Sequence, residues 1–300
     1  MGRGLADASP AARAVFQEID DALGEHLSKL MWDGPEDQLT LTRNAQPAIM
    51  AVSIAALRVL ETEGGIVLAD KAAFVAGHSL GEYTALAAAG SLGIAQTARL
   101  LRLRGEAMQA AVPLGEGAMA ALLGLGFEAV AAIAEEAARG GTPGEVCAAA
   151  NDNAPGQVVV SGHTDAVARA MALARTRGAR HSVLLPVSAP FHCALMQPAA
   201  DAMAAALAET DLRRPFIPII ANVTAAAVTD PDDIRRLLVE QVTGTVRWRE
   251  SVLAMADLGV TGFMELGGKV LGPMVRRITP DVPVQSAADM AGIEALAKEL

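Results

Sequence analysis

Hydrophobic positions along this chain follow two periods that alternate. Short apolar runs at residues 72–79, 215–222, 261–267 and 282–287 are separated by stretches in which apolar residues return every three or four positions. That alternation predicts an α/β protein with a largely parallel sheet. Ser9 followed by Pro10 reads as an N-cap and first helical residue, and Val15, Ile19 and Leu23 then keep helical spacing until Gly24 stops it. A second helix is predicted over residues 46–63, ended by Gly64 and Gly65. The run at 72–79 reads as a buried strand that ends at Ser79, with a helix over residues 81–89 directly after it.

Between residues 118 and 187 the order of elements changes. The pattern predicts a strand at 118–125, a helix at 127–138, strands at 146–151 and 157–162, a helix at 164–177 and a strand at 181–187. This is the β-α-β-β-α-β order of a ferredoxin-like unit. It predicts a small subdomain, residues 118–187, inserted into a larger α/β domain of residues 1–117 and 188–300. The larger domain resumes with the strand at 215–222, a helix at 231–242, the strand at 261–267, a helix at 269–278 and the strand at 282–287.

Composition narrows the class. With 52% hydrophobic and 19% charged residues, 300 residues can bury a sizeable core. Lys plus Arg at 24 against Asp plus Glu at 34 gives a formal charge of -10, which disfavours nonspecific attraction to nucleic acid or to an anionic membrane surface. Any basic docking site must be local. Apolar stretches are interrupted well before the roughly 20 residues of a membrane span. The opening MGRGLADASPAARAVF has no apolar signal core, and Ala6 stands where a myristoylation motif needs Ser or Thr. A soluble, cytoplasmic protein is expected. Cys147 and Cys193, the only cysteines, lack zinc-ligand spacing and are expected to pack as small apolar residues, with no metal site.

The chemistry concentrates at Gly77-His78-Ser79-Leu80-Gly81, a G-x-S-x-G pattern set between a predicted strand and a predicted helix. That setting exposes a serine hydroxyl at a sharp turn, as in an α/β-hydrolase-like domain. At the start of the helix, the Leu80 N–H can help hold a developing oxyanion. Serine needs an adjacent base. His78 neighbours Ser79 in sequence, so its side chain should project away from it, while His26, His163 and His181 read as surface positions. His192, in PVSAPFHCALM, lies where the chain returns from the inserted unit to the main sheet, a natural place for a cleft. GGK at residues 267–269 is not a phosphate loop, because Phe263 and Val270 break the pattern.

Together these segments resemble the malonyl-CoA:acyl carrier protein transacylases and the related acyltransferase domains of fatty-acid and polyketide synthases, over essentially the whole chain. GHSLGEY resembles the nucleophile motif, with Ser79 as the serine that takes the malonyl group. LRLRGEAMQ resembles the substrate-anchor motif, which makes Arg104 the partner of the malonyl carboxylate. NDNAPGQVVVSG resembles the segment that brings Asn153 near the active site, and VSAPFHCALM carries His192 as the base. EQVTGTVRW resembles the stretch in which Gln241 supplies a main-chain carbonyl to orient that histidine, so no triad acid is required. Leu80 and Phe191 resemble the malonyl-selecting type, and a bulky Phe191 would crowd an α-methyl branch.

The resemblance implies malonyl transfer from malonyl-CoA to the phosphopantetheine thiol of an acyl carrier protein, through a malonyl-serine ester and without metal or redox cofactor. A guanidinium suits this task because it offers a carboxylate a planar, bidentate partner. Lys269, Arg276 and Arg277 could provide a local basic surface for an acidic carrier. A thioesterase-type serine hydrolase is the enzymatic alternative. Family members also begin with a strand and an F-P-G-Q-G-S-Q-like turn whose first Gln supplies a second oxyanion N–H, whereas this sequence opens at Met1, Gly2 and Arg3. The expectation is that the first strand is missing and that an upstream extension belongs to the working protein. The chain as given would then be poorly stable, weakly active or both, and an N-terminally incomplete, weakly active carrier-docking homologue is the other alternative.

Overall fold

The computed structural model describes residues 1–300. Its strands are β1 (Val75–Ala76), β2 (Gly117–Leu123), β3 (Cys147–Ala154), β4 (Gln157–His163), β5 (His181–Leu184), β6 (Ile219–Ala221), β7 (Ala226–Val228), β8 (Phe263–Leu266) and β9 (Val284–Ala287). Helices surround and connect them, so the architecture is mixed α/β.

The helical signals act locally as expected. Ser9 caps the helix Pro10–Leu23 by accepting from the Ala12 N–H at 3.2 Å, and Gly24 closes it in the left-handed region at φ 65°. The second helix runs Thr42–Thr62, starting four residues before the predicted position, with Pro47 inside its N-terminal part. These two helices pack with Ile94–Ala110 and Gln197–Ala208 around the largest core, which includes Phe16, Ile54, Leu86, Leu101 and Met203.

The largely parallel sheet differs from the expectation. It stands as two pieces, a three-stranded sheet in the order β1-β6-β7 and a two-stranded sheet of β8 and β9. The pairs β1–β6 and β8–β9 are parallel, but β6–β7 is antiparallel. Four residues separate β6 from β7, and a connection that short permits only a hairpin. Ala225, at φ 53°, completes the turn. The strand expected at 72–79 also contracts to Val75–Ala76, because the chain leaves the sheet to form the turn that carries Ser79.

Residues 117–184 follow the predicted β-α-β-β-α-β order and form an antiparallel sheet, β3-β4-β2-β5. Period-two alternation gives it two buried faces. Ala120, Leu122, Val158 and Val160 face a separate core beneath the helices Phe127–Arg139 and Thr164–Thr176. Met119, Ala150 and Val159 point the other way, where Leu185 and Phe191 pack on them. The second face therefore supports the segment that carries His192.

Two glycines provide a paired test of the helical packing. A Cβ on Gly105 would lie 2.5 Å from the Arg43 Cα and 2.7 Å from the Thr42 carbonyl oxygen, whereas one on Gly4 would meet nothing within 4 Å. Gly105→Ala should cost about 1–3 kcal/mol by overpacking. Gly4→Ala should stabilise by about 0.5–1 kcal/mol, because alanine replaces glycine within a helix. Chemical denaturation of both variants measures the two opposite shifts.

Candidate active site

The serine turn is built by close approach. β1 ends at Ala76, and the helix Leu80–Ala88 begins immediately after Ser79. A Cβ on Gly77 would lie 2.0 Å from the Gly81 carbonyl oxygen, so only glycine fits there. Gly81 itself has open space around its Cα. Ser79 adopts φ 54° and ψ -108°, a strained conformation for a residue with a Cβ. Asn222 holds it: its Oδ1 accepts from the Ser79 N–H at 2.7 Å and its Nδ2 donates to the Gly77 carbonyl at 2.8 Å. The parallel register of β1 and β6, Ala76 beside Ile220, brings Asn222 to this turn. The Gly81 N–H bonds to His78 and the Glu82 N–H to Ser79, while the Leu80 N–H has no acceptor in the chain. That free donor at the helix start is available to an oxyanion.

Ser79 and His192 meet although 113 residues separate them. The Ser79 Oγ lies 2.8 Å from His192 Nε2, and His192 Nδ1 lies 2.8 Å from the Gln241 main-chain carbonyl. A carbonyl oxygen only accepts, so Nδ1 carries the proton and the Nε2 lone pair faces the serine hydroxyl. Burial pushes the His192 pKa down to about 3, reinforced by the Arg104 cation; the Gln241 carbonyl opposes the shift. The imidazole is therefore neutral at pH 7 and can accept a proton. His192 also has a left-handed backbone, φ 59°.

Arg104 is only 1% exposed. Its Nη1 donates to Gln46 Oε1 at 2.8 Å, and its Nη2 donates to Gln241 Oε1 at 2.8 Å and to Ser79 Oγ at 3.1 Å. None of these acceptors is a carboxylate, and its Nε has no partner. The guanidinium carbon sits 5.7 Å from the centre of the buried Tyr83 ring. Arg102 takes a different environment, bonding to Asn44 and Glu25 nearer the surface. Two residues along a helix turn the side chain by about 200°, which explains why Arg104 enters the core while Arg102 does not. The Ser79 oxygen thus receives a hydrogen bond from a cation and faces a neutral base. Such an arrangement can activate an alcohol for attack on an acyl carbon and stabilise its alkoxide.

The remaining sequence-derived residues have distinct positions. Asn153 Oδ1 accepts from His78 Nε2 at 2.8 Å, which fixes His78 against Trp248 and directs it away from Ser79. Asn153 thus touches the turn through His78. Phe191 is partly buried and packs between the large core and the inner face of the small sheet. His26 is exposed, His181 lies on the surface strand β5, and His163 Nδ1 accepts from the Val146 N–H at 2.9 Å. Cys147 and Cys193 are free, buried thiols.

Sequence reasoning missed three residues. Asn222 follows an apolar strand and carried no recognisable signal, and Gln46 is an ordinary polar residue in a helix. Glu82 had a signal, since it sits within GHSLGEY one helical turn after Ser79. It is 2% exposed, and its Oε2 accepts from the Asn222 N–H at 3.0 Å and from Gln241 Nε2 at 2.8 Å. Burial pushes its pKa up to about 7, against the opposing pull of these donors and Arg104.

Residues 1–270 match the acyl transferase domain family. The malonyl CoA-acyl carrier protein transacylase of Escherichia coli (strain K12) is 43% identical over 297 residues, covering 99% of this chain and 93% of the relative. An acyl-carrier-protein-S-malonyltransferase structure from Bartonella henselae has a TM-score of 0.96 and 51% identity, covering 100% of this chain and 94% of that one. A malonyl-transacylase solved in complex with its type II PKS acyl-carrier protein has a TM-score of 0.94 and 38% identity, covering 100% of this chain and 95% of that one. With the family spanning nine-tenths of the sequence and a relative aligned along almost all of it, this chain belongs to the acyl transferase family.

Proposed function

We propose that this enzyme transfers the malonyl group of malonyl-CoA to the phosphopantetheine thiol of an acyl carrier protein through an ester on Ser79. The observation that carries this reading is the convergence on one oxygen: Ser79 Oγ lies 2.8 Å from His192 Nε2 and 3.1 Å from Arg104 Nη2. A base and a carboxylate anchor therefore share the nucleophile. The hydrolase alternative is not favoured, because the similar proteins are transacylases.

In the first half-reaction His192 Nε2 takes the Ser79 proton as Oγ attacks the thioester carbon. The oxyanion faces the Leu80 N–H. Collapse breaks the C–S bond, and the imidazolium proton passes to the departing CoA sulfur. In the second half-reaction the carrier thiol gives its proton to His192 and its sulfur attacks the ester carbon. The Ser79 oxygen leaves and recovers the proton. Arg104 holds the malonyl carboxylate throughout through its free N–H groups, and Phe191 bounds the acyl pocket. The carboxylate also offsets the Arg104 charge that depresses His192, so malonyl binding makes the base stronger. No step requires a metal or redox cofactor.

The same reading assigns an α/β-hydrolase-like body to residues 1–117 and 188–300 and a ferredoxin-like subdomain to residues 118–187. It also assigns a carrier-docking role to the exposed basic side chains of Lys269, Arg276 and Arg277. No helix is long and apolar enough to cross a membrane.

Intact mass spectrometry after exposure to malonyl-CoA tests the chemistry. The parent should gain one malonyl group and lose it when carrier is added, while Ser79→Ala should gain none. His192→Ala should slow both half-reactions by about 100-fold or more, measured by rapid quench. Arg104→Ala should reduce malonyl transfer by about 2–5 kcal/mol of transition-state stabilisation and acetyl transfer far less. Equal losses would assign Arg104 a structural task.

The depressed His192 pKa predicts a pH profile. The neutral imidazole is the active form, so a lowered pKa extends activity towards acid. With acetyl-CoA, which leaves the anchor empty, kcat/KM should show no loss centred at the ordinary histidine value of about 6.5. Arg104→Ala should move the acid limb to higher pH, because removing a cation raises the His192 pKa. A parent profile centred near 6.5 would contradict the assignment.

A further inference from the structure

Arg104 is a buried cation held only by neutral oxygens. Gln46 Oε1 and Gln241 Oε1 each accept from it at 2.8 Å, and both glutamines are at most 3% exposed. Each amide is also hydrogen-bonded on its far side. Gln46 Nε2 donates to Thr42 Oγ1 at 3.0 Å, which leaves its oxygen facing the guanidinium. Gln241 Nε2 donates to Glu82 Oε2 at 2.8 Å and to the Ser79 carbonyl at 3.0 Å. The Ser79 carbonyl only accepts and a guanidinium only donates, so these two fix the Gln241 amide in either protonation state of Glu82. Reversing the Gln241 amide would place oxygen against oxygen and nitrogen against nitrogen. Glu82 therefore reaches Arg104 through an amide and forms no direct bond to it.

We propose that the side-chain amides of Gln46 and Gln241 are positioning groups that fix Arg104 without neutralising it, reserving its charge for the carboxylate of the acyl substrate. The Gln241 orientation is set by the Ser79 carbonyl, with Glu82 accepting from the same nitrogen. A carboxylate in place of either amide would form a buried ion pair with Arg104, and an incoming acyl carboxylate would then meet a neutralised cation beside a like charge. Gln241 consequently has two separable tasks: its main-chain carbonyl orients His192, and its side chain holds the anchor.

This inference rests on Arg104 as the carboxylate anchor. Its distinctive consequence is an order of severity opposite to ordinary structural conservation. Gln46→Glu preserves shape, and the Thr42 hydroxyl can rotate to donate to the new oxygen, so the hydrogen-bonded network remains satisfiable. Gln46→Met removes the acceptor altogether. A merely structural glutamine would tolerate glutamate better. A glutamine that reserves charge would tolerate methionine better.

The test measures kcat/KM for malonyl-CoA and acetyl-CoA at pH 8 in parent, Gln46→Met, Gln46→Glu, Gln241→Met, Gln241→Glu and Arg104→Ala enzymes, with circular dichroism confirming the fold. Each Met variant should lose about tenfold in the malonyl-to-acetyl ratio, mainly through malonyl KM. Each Glu variant should lose about 100-fold or more, because like charges are brought together. Gln46 carries the comparison, because Gln241→Glu also sets an oxygen against Glu82 and the Ser79 carbonyl; if Gln46→Glu does not fold, a retained ratio in Gln241→Glu counts against the proposal all the same. Glu variants that keep the parental ratio, or lose less of it than the Met variants, overturn the proposal while leaving Arg104 as anchor. An unchanged ratio in Arg104→Ala instead removes the anchor reading, and this inference falls with it.

Discussion

The hold of Asn222 on the Ser79 turn is the constraint on which the rest of the site depends. A non-glycine residue in a sparsely populated backbone region costs roughly 1–3 kcal/mol and persists only where its surroundings demand it. Here one buried amide bonds to both sides of the turn, to the Ser79 N–H and the Gly77 carbonyl. Its own N–H bonds to Glu82, one helical turn beyond the serine. The strain, the contact between Gly77 and Gly81, and the register of β1 with β6 all describe the same local solution. Each helps present Ser79 Oγ to groups brought from distant parts of the chain.

Those groups form a water-poor polar network in which few members could be changed independently. Low local dielectric makes each interaction strong and each unmatched group costly. His192 responds by losing its proton, and its tautomer is selected by a carbonyl that cannot donate. Arg104 responds by collecting neutral acceptors. The result is a resting site with an available lone pair and an available cationic charge. The base facing the serine and the buried cation beside it are consequently parts of one electrostatic arrangement.

The small sheet contributes directly to that arrangement. Val246 exchanges main-chain hydrogen bonds with Ala150 and Asp152 at 2.9 Å each, tying β3 to the segment immediately after Gln241. Arg249 adds an ion pair with the buried Asp152 at 2.8 Å. At the other side of the site, a Cβ on Gly117 would stand 2.3 Å from Pro190, two residues before His192. The small sheet thus braces both the histidine and the carbonyl that orients it. Its inward face also supports Phe191, next to His192.

The sequence by itself determined features that depend on nearby residues. The Ser9 cap, the Gly24 stop, the glycine-flanked Ser79 turn and the β-α-β-β-α-β order all arise from local backbone preference and side-chain period. The segments bearing Ser79, His192, Arg104 and Gln241 were likewise legible through their motifs. Tertiary structure decided the two-piece division of the main sheet and the loss of most of the strand before Ser79, because pairing partners come from remote segments. It also decided the depressed basicity of His192, the entry of Arg104 into the core, the Asn222 clamp and the facing amides of Gln46 and Gln241. Burial and hydrogen-bond partnership are properties of surroundings. Residues 46, 82, 104, 192, 222 and 241 acquire those surroundings only when the chain closes around Ser79.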